Sequence, residues 1–260
     1  KLKFPNFPKA FNGLKIVQIS DLHVGSFVSE RPLEKAVEII NNIDADLILF
    51  TGDLVNNMSK EVNPFIETLK KLKAKKGVYS VLGNHDYGDY HQWDEDKETN
   101  DKLKKADVEN LINMQTQMGW KVLMDENITF EKDGEQFSLI GIQNWGAKAR
   151  FPKYGDLKKA HQSTEKSPFK ILMSHDPSHW KAEVTQLFKD VDLMLSGHTH
   201  GFQFGIEIPG FIKWSPVKYV YHEWAGLYNE GKQFLYVNRG LGFLGYPGRV
   251  GISPEITVFE

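Results

Sequence analysis

The chain has 260 residues, 40% of them hydrophobic and 25% charged, with a formal net charge of −2 and no cysteine. That length suffices for one large domain with a buried core, and the missing thiols exclude disulfides, thiolate metal sites and a cysteine nucleophile. No basic excess marks a nucleic-acid-binding surface, and no apolar run approaches the ~20 residues of a membrane span.

Residues 1–13 contain two prolines and little periodicity, and read as an arm leading into the first strand. No signal peptide is visible. The start at Lys1 reads as trimmed or processed, so an N-terminal membrane anchor stays open and the compartment unassigned. Residues 14–20 are an apolar strand that ends in Asp21-Leu22-His23. Leu33, Ala36, Val37 and Ile40 recur at helical spacing, with Pro32 suited to a first turn. Residues 47–51 form a second strand, ending in Gly52-Asp53, and Phe65, Ile66, Leu69 and Leu72 mark a second helix. Residues 78–82 are a third strand, followed by Gly83-Asn84-His85-Asp86.

This β-α-β-α-β order predicts parallel strands joined by crossover helices. Residues 87–105, polar around Asp94-Glu95-Asp96, read as a solvated insertion, and Val108, Leu111, Ile112, Gln115 and Met118 as a third helix. Antiparallel strands are then expected at 120–124, 127–132 and 136–142, with Asp133-Gly134 as a hairpin turn. Residues 169–174 form a strand running into His175-Asp176-Pro177, and Trp180, Val184, Leu187 and Phe188 mark a helix. Residues 192–196 form a strand running into Gly197-His198-Thr199-His200-Gly201, and strands at 234–238 and 255–259 close the sheets.

Five apolar strands thus run straight into polar clusters. In open α/β sheets the site lies beyond the carboxyl ends of the strands, so these clusters should converge. Together they offer Asp21, Asp53, Asn84, His23, His175, His198 and His200, with His85 beside them. An Asn carbonyl oxygen can bind a metal, and a neighbouring imidazole can give a proton to a leaving group. The N/O donor set without thiolate suits manganese, iron, zinc or magnesium. Seven donors are too many for one catalytic ion with open positions. Two ions bridged by a carboxylate and a water use them well, and make a hydroxide nucleophile for phosphoryl displacement. Any one of these residues alone could be a turn, cap or core residue; five coincident clusters argue against that for the set.

On the motifs Asp21-x-His23, Gly52-Asp53, Gly83-Asn84-His85-Asp86, the later His175 and Gly197-His198-x-His200, the sequence resembles the calcineurin-like metallophosphoesterases from about residue 14 to residue 201. The single-domain bacterial branch, with its GHTHG, NRGLG and terminal PEITVF segments, looks most similar. The resemblance implies one domain over 1–260, built as a four-layer α/β/β/α sandwich of two mixed sheets flanked by helices. It implies Asp21, His23, Asp53 and His200 around one divalent ion and Asp53, Asn84, His175 and His198 around the other, with Asp53 bridging. Manganese is the foremost candidate metal, ahead of magnesium, iron or zinc, and His85 is the implied proton donor. Two departures stand out: Asn56 occupies a position that is acidic in many relatives, and Phe202 follows Gly201 where a second glycine is common.

Arg239 and Arg249 lie in the glycine-rich stretch NRGLGFLGYPGR, where a guanidinium suits either phosphate recognition or a salt bridge that orders a loop. The other histidines, 91, 161, 179 and 222, read as surface or structural. Between Phe202 and Tyr228 the aromatic density is far above the 12% of the whole chain, with interruptions at Pro209-Gly210 and Ser215-Pro216. This segment leaves directly from His200, so its first part belongs at the rim of the site. It reads either as a satellite core under a long loop or as an apolar lip for a lipid-bearing phosphoester or a membrane surface. The expected function is hydrolysis of a small phosphoric ester, with no protein partner implied. Some relatives act on lipid-linked sugar nucleotides, which makes a UDP-2,3-diacylglucosamine pyrophosphatase-like activity at a membrane the first alternative. A nuclease and a non-catalytic protein-binding scaffold are the weaker ones.

Overall fold

In the computed structural model, which describes residues 2–148, 151–208 and 211–260, two sheets pack face to face. The first is built from β1 (Ile16–Ile19), β2 (Leu47–Phe50), β3 (Val78–Ser80), β4 (Trp120–Val122) and β13 (Thr257–Phe259), in the order β13-β1-β2-β3-β4. The second contains β5 (Glu126–Lys132), β6 (Glu135–Gly141), β7 (Lys170–Met173), β8 (Leu193–Ser196), β11 (Gly226–Glu230) and β12 (Gln233–Val237), in the order β11-β12-β8-β7-β6-β5. The inner strands of each sheet run parallel, and antiparallel neighbours flank them: β13 in the first sheet, β5 and β11 in the second.

Alternate residues of one strand serve two cores, as the two-residue period of a strand requires. Ile16, Leu47 and Leu49 point between the sheets and meet Leu139, Ile171 and Leu193 of the second sheet. Val17, Ile48 and Phe50 point the other way, to Leu33 and Val37 of α1 (Arg31–Asn42) and Leu111 of α3 (Lys97–Gln117). On the far side, Ile140, Leu172 and Met194 pack against Leu157 of α4 (Leu157–Ala160) and against Trp180 and Val184, which lie in a wide π-helical turn, Trp180–Val184, leading into α5 (Thr185–Leu187). The expected α/β/β/α layering is therefore present. The N-terminal arm closes the end of the sandwich from which β7 sets out: Phe4 and Phe7 meet the Phe169 ring edge-on at 4.7 and 4.9 Å.

Three local expectations need correction. Residues 97–105, expected to belong to a solvated insertion ahead of the third helix, are the first half of α3, which starts at the Asp96 cap, where the side chain accepts from Thr99 N at 2.9 Å. Only Leu111, Met114 and Gln115 of this helix are buried, so its exposed first turns carry no apolar period to read. Residues 120–122 pair with β3 in parallel rather than opening an antiparallel meander, because strand direction leaves no trace in side-chain alternation. The second helix is broken: a 3₁₀ segment, Ser59–Phe65, holds Pro64 and gives way to the short α2 (Ile66–Leu69). The Asp133-Gly134 turn is as expected, both residues having positive φ. Pro209 and Gly210, expected to interrupt the aromatic segment, lie outside the described residues. Its two flanks form the hairpin β9 (Ile206–Ile208) and β10 (Ile212–Trp214). Among the described residues no helix is long and apolar enough to cross a membrane.

Candidate metal centre

All five polar clusters emerge from the same edge of the sandwich. Leaving a buried strand, the chain must turn at once, and it does so through residues in the left-handed region: Asp21, His23, Asp53, His198 and His200 have φ between 46° and 75°. Such conformations cost of order 1–3 kcal/mol each outside glycine and gather where the surroundings over-determine them. Here main-chain bonds do so, from Asp21 N to Gly52 O at 2.9 Å and from His23 N to Asp53 O at 3.2 Å. Gly52 (φ 99°) and Gly197 allow the turns to approach; a Cβ on Gly197 would collide with Ser20 and Asp21.

The donors fall into two groups that share Asp53: Asp21, His23, Asp53 and His200, then Asp53, His175 and His198, each with its ligand atoms within 4.8 Å of one another. Asp53 Oδ2 lies 3.1 Å from His175 Nε2 and 3.5 Å from His23 Nε2. His200 Nε2 lies 3.0 Å from His23 Nε2 and 3.3 Å from Asp21 Oδ1. Asn84 joins the second group, with Oδ1 2.7 Å from His198 Nδ1.

Hydrogen bonds around the rim aim these donors inward. His23 Nδ1 faces the Val55 carbonyl at 3.1 Å and His175 Nδ1 the Thr51 carbonyl at 2.7 Å. A carbonyl can only accept, so each Nδ1 carries a hydrogen and Nε2 turns to the cluster. His198 is held the other way round, with Nε2 2.8 Å from the Tyr221 hydroxyl, which itself donates to Asp176 Oδ2 at 3.2 Å. That chain assigns the His198 hydrogen to Nε2 and leaves two acceptors, His198 Nδ1 and Asn84 Oδ1, facing each other.

The charges agree with a cation site. Burial pushes His23 down to about 3 against the pull of Asp53, and His198 down to about 4 against that of Asp176, so both imidazoles are neutral near pH 7. Burial works against ionised Asp53, yet His175 and His85 hold it well below the usual carboxylate range. Burial pushes Asp21 up to about 7, with His175 opposing the rise and Asp53 adding to it. Burial also opposes charge on His175, but Asp53 outweighs it and raises that imidazole to about 10. His175 Nε2 is buried and not aligned to hydrogen-bond Asp53, and His200 Nδ1 is buried without a hydrogen-bond partner. Crowded acceptors, the neutral imidazoles of His23 and His198 and the ionised Asp53 are a donor set that divalent cations fit, and a cation beside Asp53 would replace the Nε2 proton of His175.

His85 stands beside this cluster, half-buried, its ring 5.0 Å from that of His23 and 4.5 Å from that of Tyr90. Its Nδ1 faces the Asn56 carbonyl at 2.7 Å. Position 56 therefore supports the histidine through its main chain, while its side chain bonds Ser26 Oγ at 3.0 Å.

Two residues had no task in the sequence reading. Asp86, quoted there only as the end of a motif, accepts from the main-chain N–H groups of Asp53, Leu54, Val55 and Gly83 at 2.8–3.2 Å and so shapes the loop that carries Asp53. Tyr221 was counted only as one aromatic among many. Arg239 is ion-paired with Glu255 and Glu207, both at 2.5 Å. Arg249 donates to the carbonyls of Gly242, His200 and Arg239. Both guanidiniums are engaged in ordering the loops, and the cleft is lined by other residues. Phe202 does line it, 58% exposed. The cleft holds about 580 Å³, with Asp53, Asn84, His85, His198 and His200 as its polar floor and Phe202, Val217, Val220, Leu244 and Tyr246 as an apolar wall.

The family profile described as calcineurin-like phosphoesterase matches residues 14–202. The chain is 33% identical to the metallophosphoesterase YkuE of Bacillus subtilis, covering 99% of this chain and 82% of that protein. It is 31% identical to a zebrafish transmembrane protein with metallophosphoesterase domain, over 96% of this chain but 53% of that protein, so it spans about half of that relative's length. Among solved structures, the NAD nucleotidase of Haemophilus influenzae superposes with a TM-score of 0.54 at 16% identity, over 87% of this chain and 45% of that one. The phosphopantetheinyl hydrolase of Mycobacterium tuberculosis gives 0.51 at 14% identity, over 90% of each chain. The structural likenesses speak for the fold; the sequence matches go further, and by them this chain, with its Asp/His cluster as candidate divalent-metal centre, belongs to the calcineurin-like phosphoesterase family.

Proposed function

We propose that the chain hydrolyses phosphoric esters in this cleft, with Asp21, His23, Asp53 and His200 holding one divalent ion and Asp53, Asn84, His175 and His198 holding a second. The observation that carries the reading is the pair of donor groups sharing Asp53. When bound, the two ions would supply an activated water as nucleophile and positive charge for the phosphoryl oxygens. The chain's own residues do the rest. The Asn56 carbonyl keeps one hydrogen on His85 Nδ1, so a second proton taken up at Nε2 is the one the ring would release to the leaving oxygen. Asp86 holds the Asp53 turn in place through four main-chain bonds.

The apolar wall favours a second, narrower reading, in which the ester carries an apolar group. Phe202, Val220, Leu244 and Tyr246 offer such a group a surface directly above the polar floor. The name of the zebrafish relative places a domain of this kind in a membrane protein, which fits a lipid-bearing substrate.

The test is a panel of phosphomonoesters, diesters and nucleotide pyrophosphates after chelation and readdition of manganese, magnesium, zinc or iron. Chelation should abolish turnover and manganese should restore it; hydrolysis of no ester with any metal would end the reading. An acylated ester should show a KM lower by at least about tenfold than its short counterpart, because two buried methylenes are worth roughly 1.6 kcal/mol. Equal values would leave the wall as packing only.

A further inference from the structure

The β9–β10 hairpin is built inside out. Its register pairs Ile206 with Trp214, Glu207 with Lys213 and Ile208 with Ile212. Paired residues share a face, so Ile206, Ile208, Ile212 and Trp214 lie on one side and Glu207 and Lys213 on the other. A hairpin resting on a core ordinarily turns its apolar side inward. Here the charged side faces the protein: Glu207 pairs with Arg239, and the Lys213 ammonium reaches the Ala225 carbonyl and lies 4.9 Å over the Trp224 ring. Most of the apolar side is left outside, with Ile206 51%, Ile208 53%, Ile212 42% and Phe211 91% exposed, while Trp214 is half-buried. Phe204, bridged to Val250 at the foot of the hairpin, extends the patch toward Phe202 at the cleft. Scattered exposed apolar residues are ordinary, but a continuous patch marks an interaction surface.

We infer that this hairpin docks the chain on an anionic phospholipid surface, beside the mouth of the cleft. Size argues against a protein partner. Strands of three residues each cannot approach the ~800 Å² per side of a stable protein interface. They suffice to enter the ~5–10 Å boundary between headgroups and acyl chains. Charge argues the same way. Glu207 is neutralised by Arg239, and Lys213, Arg239 and Arg249 are engaged inward, so the charge shown outward by residues 200–222 is that of the exposed Lys218. Lys218 sits 5.1 Å over the exposed Tyr219 ring, a cation and an aromatic suited to the headgroup layer. Docking here brings the apolar wall of the cleft next to the bilayer, which deepens the lipid-bearing reading above and rests on it for its use in catalysis.

The test is co-sedimentation of the 260-residue chain with vesicles of phosphatidylcholine alone or mixed with phosphatidylglycerol. Binding should be several-fold stronger to the mixed vesicles. The double variant Ile208→Asp/Phe211→Asp should lower it at least tenfold while leaving hydrolysis of soluble bis-p-nitrophenyl phosphate unchanged, because neither residue lines the cleft. Absence of vesicle binding by the parent chain, or binding that the double variant retains, would overturn the inference. So would a dimer that the double variant dissolves, which would give the face to a second copy. Vesicle binding without hydrolysis of any ester would sink the phosphoesterase reading and leave the docking surface standing.

Discussion

The strand-end cluster and the rim built by residues 202–254 are held together by opposite means. In the cluster the main chain does the holding. Val55 O positions His23, Thr51 O positions His175, Asn56 O positions His85, and four N–H groups seat Asp86. At the rim, side chains do the holding: Arg239 grips Glu207 and Glu255, Arg249 reaches the carbonyls of Gly242, His200 and Arg239, and Tyr221 bonds Asp176 and His198. The cluster also buries its polar groups, whereas the rim turns apolar ones outward. A main-chain scaffold survives changes in the residues around it, so the cluster is suited to a fixed chemistry. A scaffold of side chains changes with each substitution, so the rim is where substrate choice and surface attachment can vary.

The contrast breaks most sharply at Asp53. Asn in its place keeps an oxygen for the His85 N–H, bonded at 2.9 Å, and tolerates a φ of 60°. It removes only the charge that both donor groups share. Asp53→Asn should therefore leave a folded chain that has lost bound metal and turnover together. Metal analysis that found two ions per chain, with activity near that of the parent, would contradict the shared-carboxylate assignment.

A smaller effect is expected at His85, which touches the cluster through its main chain and, in the proposed mechanism, acts through its ring. His85→Gln should retain metal and lose roughly 10²–10⁴ in rate, the usual scale of general-acid catalysis. The loss should shrink for p-nitrophenyl esters, whose leaving group needs little protonation. Equal losses for alkyl and aryl esters would remove the proton-donor role.

How much of this was legible in the sequence follows the same division. A buried strand followed at once by polar residues is a local signal, and it located Asp21, Asp53, Asn84, His175, His198 and His200 at one edge before any coordinates. The division of those donors between two ions came from family resemblance, because spacing along a chain says nothing about which strand ends are neighbours. α3 was read short, since a helix with three buried residues shows little period. The task of Asp86 was hidden because its partners are main-chain N–H groups, which every residue but proline carries. The arginines illustrate the limit at the rim. Arg239 could have met phosphate or glutamate, and only the fold brought Glu207, 32 residues away, into reach.

Tyr221 is where the two regions meet, and the smallest expected effect sharpens their difference. It belongs to the rim, packed with Val217, Trp224 and Ile252. Its hydroxyl is nevertheless the partner of a cluster histidine, 2.8 Å from His198 Nε2. His23 and His175, also in the cluster, use a carbonyl, which no substitution can remove. Among the cluster histidines with a positioned ring nitrogen, His198 has its tautomer set by a side chain, and so its Nδ1 lone pair depends on that side chain. Tyr221→Phe keeps the ring in its apolar cluster and deletes only the hydroxyl. It should weaken binding of one divalent ion by about 10–100-fold, the usual range when a partner of a metal-ligating histidine is lost, and leave the other ion and the melting temperature little changed. Titration calorimetry with manganese reads the two affinities separately and without reference to activity. If both affinities stayed at parent values, the hydroxyl would be a packing detail and the cluster would be held by its main chain throughout. If both fell together with the melting temperature, the effect would be on folding, and the link from rim to cluster would have to be sought elsewhere.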